Sequence, residues 1–176
     1  MRPVTDDYIT TYSGTKFPFV DPQDEDILIT DIAHSLAMQC RYNGHSGIFY
    51  SVAEHSVLMA KWILDETDDK TLAMEALLHD ASEAYLCDMP RPIKPYLDPQ
   101  YGDMDNVIET AIARKFGLEL PWNELVKIAD SRIVRDEYNK LFRSRHGKME
   151  WTLPDYADKP LGVEIKGYIP AKAKRE

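Results

Sequence analysis

Residues 77–88 read LLHDASEAYLCD, and this mixture of apolar and ionisable side chains organises the rest of the sequence. Apolar residues recur at helical spacing from Leu72 onward, so the pattern predicts the end of a buried helix. His79, Asp80 and Glu83 interrupt the segment, and their spacing predicts that all three face one side of that helix. Burying an imidazole beside carboxylates is costly without compensation, so the segment indicates a bound cation or proton chemistry.

A proline-rich segment follows directly. The helix is predicted to stop at Asp88, because Pro90, Pro92 and Pro95 cannot continue it. The same segment carries Lys94, which is as well explained by a phosphate contact as by simple solvent exposure.

Composition limits the possible classes of function. The 176 residues, 44% of them hydrophobic and 29% charged, suit one soluble globular domain spanning 1–176. The longest apolar runs are too short for a membrane span, and the first residues do not resemble a signal peptide. Two cysteines predict a reducing, cytoplasmic location. The net charge of −9 argues against general nucleic-acid binding, although it permits a small anionic substrate.

Periodic segments on both sides predict an all-α bundle of five or more helices, with a core at about 24–146. The first predicted helix is capped by Asp31. A second begins with the Ser51 and Glu54 of a capping box and runs to about Asp65. Residues 1–23 are predicted to form an irregular leader, and the tail after Gly147 is predicted to be irregular apart from a short strand over 163–169.

Two further helices are predicted after the proline segment. Asp105 is expected to cap a helix that ends at Phe116, with Gly117 in the left-handed position that follows it. Pro121 is expected in the first turn of a long helix from about Trp122 to Arg145.

Asp130 lies in the apolar stripe of that long helix, where a lone carboxylate needs a partner. The three helices thus bring together His55, His79, Asp80 and Asp130. Imidazole and carboxylate ligands suit one Co, Mn, Zn, Ni or Fe ion per chain, and the sequence has no thiolate cluster for structural zinc. Such an ion activates water and stabilises phosphoryl charge.

The remaining polar groups have catalytic or binding interpretations. Glu83 is placed to take a proton from water, and Asp88 to hold the nucleophile or protonate the leaving oxygen. In the glycine-containing loop over 40–47, Arg41 and His45 are candidate functional groups. His34 and His45 are each as well explained by packing as by substrate contact.

The order His55, then His79-Asp80, then Asp130 resembles the H…HD…D signature of the HD-domain metal-dependent phosphohydrolases. The resemblance extends to four blocks: YSVAEHS at 50–56, HDASE at 79–83, DMPRPIK at 88–94 and KIAD at 127–130. These blocks are similar to those of bacterial 5′-deoxynucleotidases and of the short deoxynucleoside triphosphate triphosphohydrolases of phages and bacteria.

The resemblance implies an HD-domain helical bundle in which the two histidines and two aspartates above bind the metal. Glu83 and Asp88 would then act in catalysis. Arg41 corresponds to a phosphate-contacting arginine, and the next residue is Tyr42 where the deoxynucleotidases have tryptophan. The substrate contacts expected by this reasoning are Arg41, Tyr42, His45 and Lys94.

The expected function is metal-dependent hydrolysis of a deoxynucleotide at its 5′ phosphate end, by a dNMP 5′-deoxynucleotidase or a dNTP triphosphohydrolase such as a dATPase. The alternatives are a cyclic-nucleotide or other phosphodiesterase of the same superfamily, and a non-catalytic nucleotide-sensing module. The expected partners are a small deoxynucleotide and further copies of the chain in a homo-oligomer, without membrane or nucleic acid.

Overall fold

The computed structural model of the protein describes residues 7–142 and 158–176. These residues are mainly helical, which confirms the predicted all-α class. The helices are α1 (Ile29–Met38), α2 (Val52–Thr67), α3 (Lys70–Leu78), α4 (Glu83–Leu86), α5 (Lys94–Leu97), α6 (Gln100–Phe116), α7 (Glu124–Glu137) and α8 (Pro170–Ala173). None of these described helices is both long and apolar enough to cross a membrane.

Helix α2 lies at the centre of the bundle, where it packs against α1, α3 and α7. At its N-terminal end, Val52 joins a hydrophobic cluster that includes Ile108 of α6. Further along, Met59 and Ile63 join a second cluster with Ile133 of α7. Each such buried side chain contributes roughly 1.5–3 kcal/mol relative to exposure, so this packing helps to fix α1, α3 and α7 around α2.

Several helices begin or end with the capping contacts expected from the neighbouring sequence. The Ser51 hydroxyl accepts a hydrogen bond from the Glu54 backbone N–H at 3.1 Å, as predicted. Asp69 caps α3 in the same way through the N–H groups of Thr71 and Leu72. Gly117 ends α6 with φ of 67°, the left-handed conformation predicted for it.

The second contact of the predicted capping box, between the Glu54 side chain and the Ser51 backbone N–H, is wrong, because the Glu54 carboxylate binds another part of the chain. Its buried carboxylate accepts three backbone hydrogen bonds from the tail: Lys166 N at 2.7 Å, Gly167 N at 3.0 Å and Tyr168 N at 2.7 Å. The strand predicted over 163–169 is also wrong: these residues form no strand, and 166–168 bond to the Glu54 side chain instead. Gly167 lets the tail pass close to residues 48–49, because a Cβ there would lie 2.9 Å from Ile48 Cδ1 and 3.0 Å from the Phe49 carbonyl oxygen.

Replacement of Glu54 by alanine is expected to lower the free energy of unfolding by about 3 kcal/mol, because it leaves several partly buried N–H groups without acceptors. Chemical denaturation followed by circular dichroism measures the change. The matched control is Glu66→Ala on the exposed side of the same helix, which should change stability by less than about 0.5 kcal/mol. Equal unfolding midpoints for Glu54→Ala and the wild type would show that this carboxylate does not anchor the tail.

The N-terminal segment is more ordered than predicted. Strands β1 (Tyr8–Thr10) and β2 (Lys16–Pro18) form an antiparallel hairpin in place of the irregular leader. Asp31 does not cap α1, which begins at Ile29, two residues before it. Its buried carboxylate instead accepts hydrogen bonds from the Thr11 hydroxyl and from the backbone N–H and hydroxyl of Ser13, so it fastens the hairpin to α1.

The last two long helices differ from their predicted bounds. Helix α6 begins at Gln100, five residues before the expected cap at Asp105. Helix α7 begins at Glu124, because the Asn123 side chain accepts from Leu125 N at 2.9 Å, and Pro121 precedes the helix rather than opening it. The helix ends at Glu137 and continues as a π-helical turn over Tyr138–Phe142. The remainder of the prediction, residues 143–145, lies outside the described residues.

Candidate metal centre and its cavity

The segment that connects α3 to α4 is a tight turn rather than the predicted continuation of a helix. Helix α3 ends at Leu78, and α4 begins at Glu83. The residues between them make short-range backbone bonds, including Ala81 N to Leu78 O at 3.0 Å and Glu83 N to Asp80 O at 3.1 Å. The break places His79 and Asp80 at the end of α3, facing α2 and α7.

Three residues from three elements place ligand atoms within 4.8 Å of one another, and they could hold a metal ion: His55 of α2, His79 after α3 and Asp130 of α7. The Nε2 atom of His55 lies 3.4 Å from Asp130 Oδ1. Asp80 lies against the same group, with one oxygen 3.3 Å from His79 Nε2 and the other 3.6 Å from His55 Nε2. The four predicted ligands therefore come together.

The two imidazoles are oriented for metal binding. His79 Nδ1 lies 2.8 Å from the Ala76 carbonyl oxygen, and His55 Nδ1 lies 2.7 Å from Glu137 Oε1. These acceptors favour a proton on each Nδ1, so Nε2 is the nitrogen directed into the cluster, and in the neutral imidazole its lone pair could bind a metal. Both Nε2 atoms are buried and have no hydrogen-bond partner among the described residues. Buried nitrogen atoms without partners are costly, and a cation would satisfy them.

The charges of the cluster are strongly coupled. Burial disfavours a charged His79, but the neighbouring Asp80 outweighs that effect and raises the pKa of the imidazole to about 9. Burial likewise opposes ionisation of Asp80, and the adjacent His79, His55 and Arg41 nevertheless hold its pKa well below the usual range. The site thus favours a positive charge next to ionised carboxylates, which is the charge that a divalent ion supplies.

A cavity of about 450 Å³ opens beside the cluster. Its lining carries both acidic and basic side chains and comes from the turn at residue 41, the α3–α4 connection, the proline segment and α7. The lining residues are Arg41, Tyr42, Asp80, Glu83, Asp88, Met89, Pro90, Arg91, Pro92, Lys94, Asp130 and Val134. The lining has four carboxylates and three cations, so a divalent ion bound by the cluster would make the cavity suit an anionic substrate.

Glu83 and Asp88 both reach this cavity, as their predicted roles require. Burial and then the charges of Asp80 and Asp88 raise the pKa of Glu83 to about 9. A divalent cation in the cluster would oppose that shift, because it favours the ionised form.

Helix α1 supports the backbone of these two residues. The Gln39 side chain donates to the Glu83 carbonyl oxygen at 2.8 Å and accepts from Asp88 N at 2.9 Å. The Ser35 hydroxyl donates to the Ala84 carbonyl oxygen at 2.8 Å. These three bonds join α1 and the residue after it to α4 and the segment that follows it, and they hold α4 in place.

Arg41 and Tyr42 occupy a short 3₁₀ turn, in which Tyr42 has φ of 58°. One guanidinium nitrogen of Arg41 lies 3.3 Å from Asp80 Oδ2, while its Nε lies 3.5 Å from Glu137 Oε1. The Tyr42 hydroxyl donates to the other oxygen of Glu137. The turn therefore places the predicted phosphate-contacting arginine beside the candidate metal ligands.

The remaining predicted substrate contacts differ in whether they line this cavity. Lys94 lines the cavity, with its Nζ 5.5 Å from the centre of the Tyr101 ring. His45 is exposed and is not one of the residues that line this cavity, so the geometry does not support its predicted substrate contact. His34 stacks on Tyr12 with ring centres 3.7 Å apart and lines a second cavity beside the hairpin.

Sequence reasoning missed Glu137, whose carboxylate is completely buried next to His55 and Arg41. The distance along the sequence from Asp130 to Glu137 could have identified this residue. Glu137 follows Asp130 by seven residues, which is close to two helical turns and places both acids on the same side of α7.

No family model matches the sequence. The chain is 41% identical over 134 residues to the uncharacterized protein YfdR of Escherichia coli, and the match covers 76% of this chain and 72% of that protein. It is also 35% identical over 137 residues to an uncharacterized protein of Rhodobacter capsulatus, with coverage of 73% and 70%. The extent of the first match shows common ancestry over most of both chains, and the protein belongs to the family of Escherichia coli YfdR.

Proposed function

We propose that this protein is a divalent-metal-dependent phosphohydrolase that acts on the 5′ phosphate end of a deoxynucleotide. The observation that carries the proposal is the pair of buried, unpartnered Nε2 atoms of His55 and His79, which lie next to Asp80 and Asp130 beside a cavity that contains cationic side chains. Metal ligands beside cations fit the transfer of a phosphoryl group better than they fit a structural metal site.

The donor set fits one Co, Mn, Zn, Ni or Fe ion, held by His55, His79, Asp80 and Asp130. When bound, the ion would supply Lewis-acid activation of the attacking water and stabilisation of phosphoryl charge.

The chain's own side chains would complete the reaction. Glu83 accepts the proton from the attacking water, because its carboxylate is buried at the cavity close to Asp80. Asp88 orients the water or, when it carries a proton of its own, donates that proton to the leaving oxygen. Arg41 and Lys94 neutralise the phosphate oxygens, and the exposed Arg91, which pairs with Asp130 at 3.3 Å, is free enough to turn toward a substrate.

The choice of a deoxynucleotide is supported by the resemblance of four sequence blocks to the 5′-deoxynucleotidases and the short dNTP triphosphohydrolases. All four blocks contribute a side chain to the cluster or the cavity: His55, His79 to Glu83, Asp88 to Lys94, and Asp130.

Product analysis with a panel of dNMPs, dNTPs and cyclic nucleotides tests the proposal, with Mn²⁺ or Co²⁺ added and with a chelator as control. Free phosphate from dNMPs would indicate a 5′-deoxynucleotidase, and tripolyphosphate from dNTPs would indicate a triphosphohydrolase. Hydrolysis of cyclic nucleotides alone would replace the proposed substrate class. No metal-dependent product from any member of the panel would refute the proposed activity.

Substitution of Arg41 by lysine should lower kcat/KM by about tenfold or more, although the charge is retained, because lysine cannot offer two parallel donors to phosphate oxygens. Arg41→Ala should lower kcat/KM further. Steady-state kinetics on the best nucleotide measures both variants, and Arg114→Lys on the exposed side of α6 is the matched control. Wild-type kinetics in Arg41→Ala would place the phosphate against Lys94 instead.

A further inference from the structure

The carboxylate of Glu137 contacts both halves of the candidate site. Its Oε1 lies 2.7 Å from His55 Nδ1 and 3.5 Å from Arg41 Nε, and its Oε2 accepts a hydrogen bond from the Tyr42 hydroxyl. The side chain has no exposed surface, so solvent does not screen these interactions. One buried acid thus contacts a candidate metal ligand and two residues that line the substrate cavity.

We propose that Glu137 is a positioning residue that couples metal binding at His55 to phosphate binding at Arg41 and Tyr42. The phosphate part of this inference rests on the proposed function, while the metal part depends only on the cluster geometry. Glu137 is not itself a ligand in this scheme, because its contact with the cluster runs through the far nitrogen of His55.

The partners of Glu137 distinguish it from the acids that stabilise the fold. Glu54 accepts hydrogen bonds from backbone N–H groups at 166–168, and Asp136 accepts them from Leu161 and Gly162. The contacts of Glu137 described above go instead to side chains of the site. Burying a carboxylate is costly, and here the compensation comes from the groups that the proposed chemistry requires.

Arg41 lies between two acids, and this arrangement suggests how the coupling works. One end of its guanidinium is 3.3 Å from Asp80, a candidate metal ligand, and the other is 3.5 Å from Glu137. Loss of the Glu137 charge would leave Asp80 as the one remaining acid of this pair for Arg41. The guanidinium would then compete with the metal for Asp80, while His55 would lose the charged acceptor that orients its ring.

Metal titration of the metal-free protein tests the first half of the proposal. Isothermal titration with Co²⁺ should give a Kd about 10–100-fold higher for Glu137→Gln than for the wild type, the range expected when a ligand's outer partner is changed. Asp136→Asn is the matched control: it is the adjacent acid and also supports the fold, and its Co²⁺ Kd should stay within about twofold of wild type. Thermal unfolding of each protein separates loss of metal affinity from loss of fold.

A wild-type Co²⁺ Kd in folded Glu137→Gln overturns the proposal. If that variant does not fold, Glu137→Asp decides the question by the same titration. It keeps the charge but shortens the side chain by one methylene, so His55 loses its partner, and a wild-type Kd would again overturn the proposal.

Kinetics at saturating metal test the second half. Glu137→Gln should raise KM, or the inhibition constant of inorganic phosphate, by a larger factor than it lowers kcat, because Arg41 and Tyr42 are displaced. Unchanged kinetics at saturating metal would remove the coupling to phosphate. Absence of nucleotide hydrolysis by the wild type would refute the proposed function, whereas the Co²⁺ titration would still decide whether Glu137 positions His55.

Discussion

Glu83→Gln is expected to lower kcat at least about a hundredfold while the protein keeps its metal, the scale typical of a missing general base. Glutamine matches glutamate in size, and the substitution keeps the Gln39 hydrogen bond to the backbone carbonyl of residue 83. A glutamine side chain, however, cannot accept a proton from water. Because Glu83 lies outside the His55, His79 and Asp130 group, the metal should be retained. The measurement is kcat for the best nucleotide, with metal content determined by elemental analysis.

The control for this experiment is Glu109→Gln. Burial raises the pKa of Glu109 as it does that of Glu83, but its carboxylate accepts from the Trp122 indole N–H and is not part of the cavity lining. We expect its kcat to stay within about threefold of wild type. If Glu83→Gln also retained wild-type kcat, Glu83 would be a structural neighbour and Asp88 would become the candidate base.

Asp80→Ala is expected to raise the Kd for Co²⁺ or Mn²⁺ by on the order of a hundredfold or more, and activity should disappear with the metal. Asp80 lies between the Nε2 atoms of His55 and His79, so its loss removes the central charged group among the proposed ligands. The change also leaves the nearby Arg41 cation without its Asp80 partner, and this positive charge further disfavours a metal ion. Titration of the metal-free protein measures the effect.

Asp103→Ala, an exposed aspartate on α6, is the matched control and should bind metal as the wild type does. Full metal occupancy after purification of both Asp80→Ala and Asp130→Ala would refute the assignment of the cluster as a metal site.

Local patterns were sufficient to predict much of the architecture. Helical spacing of apolar residues, the Ser51 cap and the left-handed Gly117 all depend on neighbours within a few residues, and the structure contains them. The candidate metal ligands could also be predicted from the sequence, because histidine and aspartate in an otherwise apolar helical pattern are costly to bury unless they share a partner. His55, His79 and Asp130 meet as expected.

Local patterns failed where a buried polar group finds its partner far along the chain. Glu54 has the spacing of a capping-box residue, yet its carboxylate binds backbone more than a hundred residues away. Asp31 has the appearance of a helix cap, yet it binds the hairpin. In both cases several strong hydrogen bonds in a buried environment outweigh a single local one.

The sequence by itself determined the helical class, most helix positions and the residue types that could bind a metal, because these depend on periodicity and on the cost of burying charge. Only the tertiary structure decided that α3 breaks at His79, that Arg41 lies between Asp80 and Glu137, and that Glu137 supports His55. The physical reason is that a buried ionisable group takes its role from the charges that packing brings within about 4 Å, and the order of residues along the chain does not specify those distances.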